Sequence, residues 1–538
     1  MAKPKIPNQK KKYQELNGRL NRYVALVEQI YDTLNLEAAK AVSRTKYSPD
    51  SDKPFKWSDY PQTKKQIDDI QKHFVEDINA TIYRGTTEEW KNSNEAQDLI
   101  ANKVLKAYNA QVDKEKYKIL YQTNSDALKA FQNRKDKGFN ISAKLWQQSM
   151  IYKEELEAAI SCAIQKGTSA VTLSKQISKY LLDFPLLQKD YKDRYGSAEH
   201  IQDCEYRSIR LARSEINMAY RTAENERWKQ MDFVVGYEIK LSSSHHSRMP
   251  HGDICDTLAG KYPKDFTWTG WHPNDLCYKV PILKTEEEFW EWDGRSDVST
   301  ESINEVKDVP DEFKKWVLEN HQKIEKAQKR NTLPYFLRDN KSIVQNINTE
   351  NSAKELVNRA SLVGNEVQSL AESIAKKNKG FVTPINYKSI SSITRKVTTE
   401  GITPYDIKDA VRTTIIVPRS QIDQVLNELS ESDSFVRLKR QKPESFIGYS
   451  GNIVNIQTSN GLIAEIQVNT ERMIYAKEKP EDAKRILGEK RWKEIQKQTG
   501  MEGGLGHKYY EEWRVLDKAD KKAQKIAEKS IEYYSHFQ

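Results

Sequence analysis

The sequence predicts a multidomain chain: a mostly α-helical N-terminal region, then a small loop-rich module dense in His and Cys, then an α/β (α+β) domain. Three observations carry this. The 538 residues are too many for one ordinary core and set an expectation of roughly three domains. Apolar residues recur at helical spacing, with few interrupting Gly or Pro, from about residue 10 to 230. Past residue 350, short alternating segments appear between helical ones, the pattern of a sheet flanked by helices. The boundaries that follow are 1–235 for the helical region, 236–285 for the His/Cys module, 286–350 for a helical connector and linker, and 351–538 for the α/β domain.

In chain order, "LNRYVALVEQIYDTLNL" puts Leu20, Val24, Val27, Ile30 and Leu34 on one stripe, as an amphipathic helix does. "EELEAAISCAIQKGTS" ends a helix at Gly167, with Cys162 inside it as a core residue, and "AVTLSKQISKYLLDF" begins the next. Residues 206–231 read as a long charged helix. The character changes near residue 236, where His, Cys, Gly, Pro and Trp crowd a compact segment with few strands. A connector with at least one helix leads to "RDNKSIVQNINTENS", a polar stretch of the kind where linkers fall. Beyond it, helices are expected at 352–378, 388–398, 420–430, 470–478 and 517–536, and strands at 412–417, 434–440, 451–458 and 461–468.

Composition narrows the class. Four cysteines in so long a chain argue against a disulfide scaffold, and "MAKPKIPNQKKKYQ" has positive charge with no apolar run behind it, so neither a secretory leader nor an oxidising compartment is expected. No apolar run approaches the ~18 residues of a membrane span, so no membrane partner is expected. The formal charge of +10 favours acidic partners such as nucleic acid without establishing one, and no His/Lys/Glu nuclease constellation accompanies it.

Cys255, His272 and Cys277 are three metal-ligating residues in a short stretch, with His245, His246, His251 and Asp275 nearby. Zinc needs four such groups in a tetrahedron, and "HPNDLC" gives the one tight pair. The other reading is a core cysteine with hydrogen-bonded loop histidines. "CDTLAGKYP…WHPNDLC…VPIL" resembles the module of phage minor head, or head-morphogenesis, proteins of the Mu F-like family. "LARSEINMAYRTA" upstream is similar to that family's helix, with Arg213 and Glu215 as the matching residues. The resemblance covers roughly residues 120–340 and implies a virion protein whose partners are portal and capsid proteins. Gly252 and Asp275 stand where the family has further cysteines, so the fourth zinc ligand would be Asp275 or His251.

After residue 380, "NYKSISSITRK" spaces Lys388, Ser392 and Lys396 at i, i+4 and i+8, a basic and hydroxyl helix face suited to a triphosphate, or else a solvated surface. "SFIGYSGN" sets Tyr449 beside Gly448 on a turn, where a ring can be presented for base stacking or packed on a hairpin. "YDIKDAVRTTIIVP" offers Asp409 and Arg412. In "GLIAEIQVNT", Leu462, Ala464, Ile466 and Val468 form an apolar face, leaving Glu465 and Gln467 on the other.

Together with "GLGHKYYEEWR" and its His507, these motifs resemble the RelA/SpoT-like nucleotidyltransferase domain over about residues 360–520. The resemblance implies pyrophosphate transfer from ATP. Lys388, Ser392, Lys396, Asp409, Arg412, Glu465 and Gln467 would be catalytic, and Tyr449, Gly448, Asn452 and His507 would contact the acceptor. Asp409 and Glu465 would hold Mg²⁺, which takes one or two carboxylates plus substrate oxygens. Asn386, Asn452 and Asn469 stand where the family has Arg, His and Arg, and leave the acceptor open among GTP or GDP, an adenine nucleotide and the tRNA 3′ end. The joint reading is a phage minor head protein, in the virion and the host cytoplasm, with a toxin-like pyrophosphotransferase at its C-terminus. The alternative is a purely structural virion protein with an inactive C-terminal binding module.

Overall fold

The computed structural model describes residues 4–45, 53–136, 138–164, 169–291, 302–440 and 447–537. Gly167, the expected helix end, lies outside them. The chain divides into two compact units, Met1–Val344 and Gln345–Gln538.

In the first unit, helices Gln9–Ser43, Pro61–Ala107, Ile141–Ala163 and Cys204–Gln230 supply most of the core. The first buries Leu16, Leu20, Tyr23, Val27, Tyr31 and Leu34. Tyr23 and Tyr31 thus take the places expected for Val24 and Ile30, each ring buried while its hydroxyl finds a partner, Tyr23's at the surface and Tyr31's inside. Tyr23 donates to Glu88, and Tyr31 lies 2.7 Å from Ser208 Oγ. Cys162 is buried as expected, and all four cysteines are free thiols. The Cys204–Gln230 helix reads as charged but is largely interior, with Glu215, Arg221, Glu224 and Arg227 buried. Their charges are satisfied within the unit: Arg221 donates to the carbonyls of Thr269, Asp275 and Cys277 at 3.0, 2.9 and 2.7 Å. Those carbonyls lie in the His/Cys module, whose strands β1 (Val234–Lys240), β2 (Gly260–Tyr262) and β3 (Tyr278–Leu283) form an antiparallel sheet in the order β2-β1-β3. The connector holds the helices Glu286–Glu291, Asp311–Glu319, His321–Lys329 and Tyr335–Arg338.

The expected linker is helical: Lys341–Lys377 runs unbroken through residues 341–350. Its Asn, Ser and Thr are modest helix formers, but without Gly or Pro none costs more than about 0.7 kcal/mol against Ala, so polarity alone does not end a helix. In the second unit β4 (Phe381–Val382), β5 (Asn386–Tyr387), β6 (Val411–Ile416), β7 (Phe435–Arg440), β8 (Asn452–Gln457) and β9 (Ile463–Asn469) form one sheet. Its order is β4-β6-β9-β8-β7, with β5 also on β6; β6 and β9 are parallel. One face of the sheet carries Val411, Ile415, Val454, Ala464, Ile466 and Val468 into a core with Leu356, Val363 and Val367 of the long helix and Leu426 of the Ile422–Ser430 helix. Helices Glu471–Lys477, Pro480–Leu487, Glu489–Thr499, Leu505–Arg514 and Lys521–Ser535 follow, and build a smaller cluster around Tyr475, Trp492, Tyr533 and Tyr534.

Among the described residues no helix is long and apolar enough to cross a membrane.

Candidate active site

The sheet's second face is polar, and its register places the groups. Asn386 on β5 pairs with Arg412 on β6, Arg412 with Glu465 on β9, Glu465 with Asn455 on β8, and Asn455 with Arg437 on β7. Directly paired residues share a face, so these five make a row across the sheet with the carboxylate between two arginines. Arg437 Nη2 donates to Asn455 Oδ1 at 2.9 Å within that row.

Asp409 precedes β6 and receives Lys388 at 2.5 Å and Lys396 at 3.5 Å. Burial alone would push its carboxyl up. The hydrogen bond and charge of Lys388, with Lys396 and Arg412 behind, more than reverse this and hold it below the usual carboxylate range. The two lysines do not share a helix face as expected. The Ser389 side chain caps a helix that starts at Ile390 and ends at Glu400, so Lys388 stays extended, its N–H donating to Ala410 O at 3.0 Å. Ser392 belongs to that cap, its N–H donating to Ser389 Oγ at 3.2 Å.

Glu465 accepts Gln467 Nε2 at 2.7 Å on Oε1, and its other oxygen has no protein partner among the described residues. Gln467 in turn accepts Lys477 Nζ at 2.9 Å. A cleft of about 560 Å³ opens here, lined by Asn386, Arg412, Thr414, Gln467, Lys477 and Arg485 among others.

Tyr449 is half-buried rather than freely presented. Its hydroxyl sits 2.9 Å from Asn469 Nδ2, its ring 5.8 Å from that of Tyr534, and Lys477 Nζ lies 5.4 Å from its centroid. Gly448 beside it has φ +78°, and a Cβ there would meet Ile531 Cα at 2.6 Å, so only glycine fits the turn. Asn452 opens β8, paired with Val468. His507 is half-buried on the Leu505–Arg514 helix, and among the described residues no hydrogen bond or ion pair joins it to the Glu465 row.

Sequence reasoning missed Arg437, Asn455 and Lys477. Arg437 and Asn455 become visible only through register. Lys477 carries no local signal beyond following the strand.

In the His/Cys module, Cys255 Sγ lies 3.2 Å from His272 Nε2. Cys255, Cys277 and His245 offer ligand atoms within 4.8 Å of one another, all three buried. Neither expected fourth ligand belongs to that cluster. Asp275 spends both carboxylate oxygens on the N–H groups of Trp271 and Cys277, each at 2.7 Å, and His251 is exposed. His245, the third member of the buried cluster, has Asp256 Oδ2 2.8 Å from its Nε2.

No model of a known protein family matches the sequence. The chain is 38% identical over 170 residues to the (p)ppApp synthetase toxin Tas1 of Pseudomonas aeruginosa (strain UCBPP-PA14), a match spanning 31% of this chain and 38% of that relative. The chain carries a RelA/SpoT-like domain. The motifs that resemble such a domain are those of the second unit. Among solved structures, the complex between the Type VI effector Tas1 and its immunity protein matches at 35% identity, over 35% of this chain and 96% of that one, with a TM-score of 0.33. The small alarmone synthetase 1 from Bacillus subtilis matches at 15% identity, over 34% of this chain and 92% of that one, with a TM-score of 0.23.

Proposed function

We propose that the RelA/SpoT-like domain transfers a pyrophosphoryl group from ATP to a nucleotide hydroxyl and acts as a toxin. The observation that carries this is Asp409 between Lys388 and Lys396 beside the Arg412–Glu465 row. The acceptor oxygen bonds to the β-phosphorus of ATP, the bond from that phosphorus to the α-phosphate's bridging oxygen breaks, AMP leaves, and the hydroxyl proton passes to solvent. Little covalent work falls on the protein; positioning and charge neutralisation do most of it. Lys388, Lys396 and Arg412 supply the neutralising charge, with Ser392 near the phosphates. Asp409, kept ionised by its lysines, and Glu465, with one open oxygen, fit Mg²⁺ as carboxylate ligands. Bound Mg²⁺ would add neutralisation of the transferring phosphates. Tyr449, Gly448 and Asn452 would border the acceptor, with His507 further out. Among GTP or GDP, an adenine nucleotide and the tRNA 3′ end, the relative's product, (p)ppApp, favours an adenine nucleotide. Incubating the full chain with β-labelled ATP and each acceptor tests this: label on one acceptor with release of AMP is expected, and no label on any leaves an inactive binding module.

The first unit, in the same proposal, is a phage minor head protein of the virion, in contact with portal and capsid proteins, its partner domain acting in host cytoplasm. The motif order over residues 120–340 supports it, and unimpaired particle assembly after deleting that segment would overturn it. Its module would take zinc on Cys255, Cys277, His272 and His245. Asp256 and the Pro273 carbonyl, 2.8 Å from His245 Nε2 and His272 Nδ1, fix one nitrogen of each ring and leave the other for the ion. Near one equivalent of zinc in the purified chain, lost in Cys277→Ser, is the expected result.

A further inference from the structure

The cleft holds a cation that neither the sequence motifs nor the phosphate-binding reading uses. Lys477 ends the short helix after β9. It touches both halves of the site. On one side its Nζ donates to Gln467 Oε1 at 2.9 Å, and Gln467 Nε2 donates to Glu465 Oε1 at 2.7 Å. On the other it lies 5.4 Å from the Tyr449 ring centroid, within cation–π range. Glu478 pairs with it at 3.1 Å. Gln467 has a single carbonyl and a single amide, so the ammonium on its oxygen fixes which end faces Glu465. Without Lys477 the amide is free to flip and present its carbonyl oxygen to the carboxylate.

We infer that Lys477 is a positioning residue: through Gln467 it orients the Glu465 carboxylate, and through the Tyr449 ring it holds the acceptor's stacking surface in register with that carboxylate. The inference rests on the pyrophosphotransferase reading. It assigns Lys477 no contact with the transferred group. Removing an outer support of this kind costs on the order of 10–100-fold.

The test uses the full chain with labelled ATP and whichever acceptor the wild type labels. Lys477→Met should lower kcat about 10–100-fold and raise the acceptor KM, with the ATP KM and the thermal midpoint nearly unchanged. Lys477→Arg keeps a donor for Gln467 and a cation for the ring, so it should recover most of kcat. Gln467→Leu in the Lys477→Met background should add little, because both act through one chain of contacts. Wild-type kinetics in Lys477→Met, or losses that multiply in the double variant, would overturn the inference while leaving the transfer reading intact. A wild type that labels no acceptor would instead overturn that reading.

Discussion

Two networks of charge sit in this chain, one in each unit, and they are built to opposite rules. In the first unit Glu224 and Lys279 lie 3.5 Å apart with both side chains fully buried. Tyr13 donates to Glu224 at 2.6 Å, and Lys279 also reaches Asn225 and stands over the Trp228 ring at 4.5 Å. Burial holds the Lys279 ammonium down to about 8, against the pull of Glu224. In the second unit Asp409, Lys388 and Lys396 are a fifth to a third exposed, and Glu465 keeps an oxygen open. A sealed network whose members are all paired holds a fold together. One left partly exposed, with a carboxylate oxygen to spare, is arranged for something that arrives later.

That contrast breaks most sharply at Glu465. Glu465→Gln keeps the shape and the Gln467 contact but removes the charge. Transfer should fall by about a thousandfold, roughly 4 kcal/mol, through lost stabilisation of the transferring phosphates. Thermal stability should hardly move, and expression should no longer arrest bacterial growth. Equal toxicity of both versions, or equal silence, would make Glu465 a surface residue.

The converse substitution is Lys279→Met. Removing one member of a buried pair leaves Glu224 uncompensated, and about 3 kcal/mol of stability should be lost. The cost stays at the low end because Glu224, pushed up by burial, can take a proton. Calorimetry should show a lowered transition with pyrophosphate transfer at permissive temperature unchanged. A destabilised variant that also loses transfer would mean the two networks are coupled.

How much of this was legible follows from the physics of each signal. Strands β6 to β9 lie within two residues of their expected positions, since alternation over six or seven residues is a readable period. The two-residue strands β4 and β5 have no period to read, and the short charged helices Pro480–Leu487 and Glu489–Thr499 were not among those expected. Lys388 and Lys396 were named, but on one helix face; a Ser389 cap moved the helix start and Asp409 brought them together instead. Arg221 was not singled out, because a guanidinium binding three loop carbonyls leaves no trace in the helix's own pattern.

Glu155 gives the first unit a smaller, pH-dependent test. Burial pushes its carboxyl up to about 8, against the pull of the Cys204 N–H. The folded form therefore binds a proton that the unfolded chain releases near 4.5. Stability from this group is present below that value and lost as pH rises through about 8. Glu155→Gln keeps an acceptor for Cys204 and removes the titration. The variant's thermal midpoint should overtake the wild type's as pH rises toward 8, by an amount worth about 2 kcal/mol or more. Parallel midpoint curves would place Glu155 in water.

The smallest expected effect sharpens the comparison where the second unit most resembles the first. Tyr449 is tethered like a core residue, its hydroxyl on Asn469, yet its ring lies beneath Lys477, which lines the cleft. Tyr449→Ala removes ring and tether together, and should weaken acceptor binding by ~1–3 kcal/mol if a base stacks there. Tyr449→Phe separates the two: the ring stays, and one neutral hydrogen bond worth about 1 kcal/mol goes. If the hydroxyl only aims the ring, the acceptor KM should rise no more than about fivefold while the ATP KM and kcat hold. If the tyrosine were a packing residue and nothing more, Tyr449→Phe would lower the thermal midpoint by the same energy and leave both KM values alone. The two outcomes cannot be confused: one moves the acceptor KM, the other only the thermal midpoint.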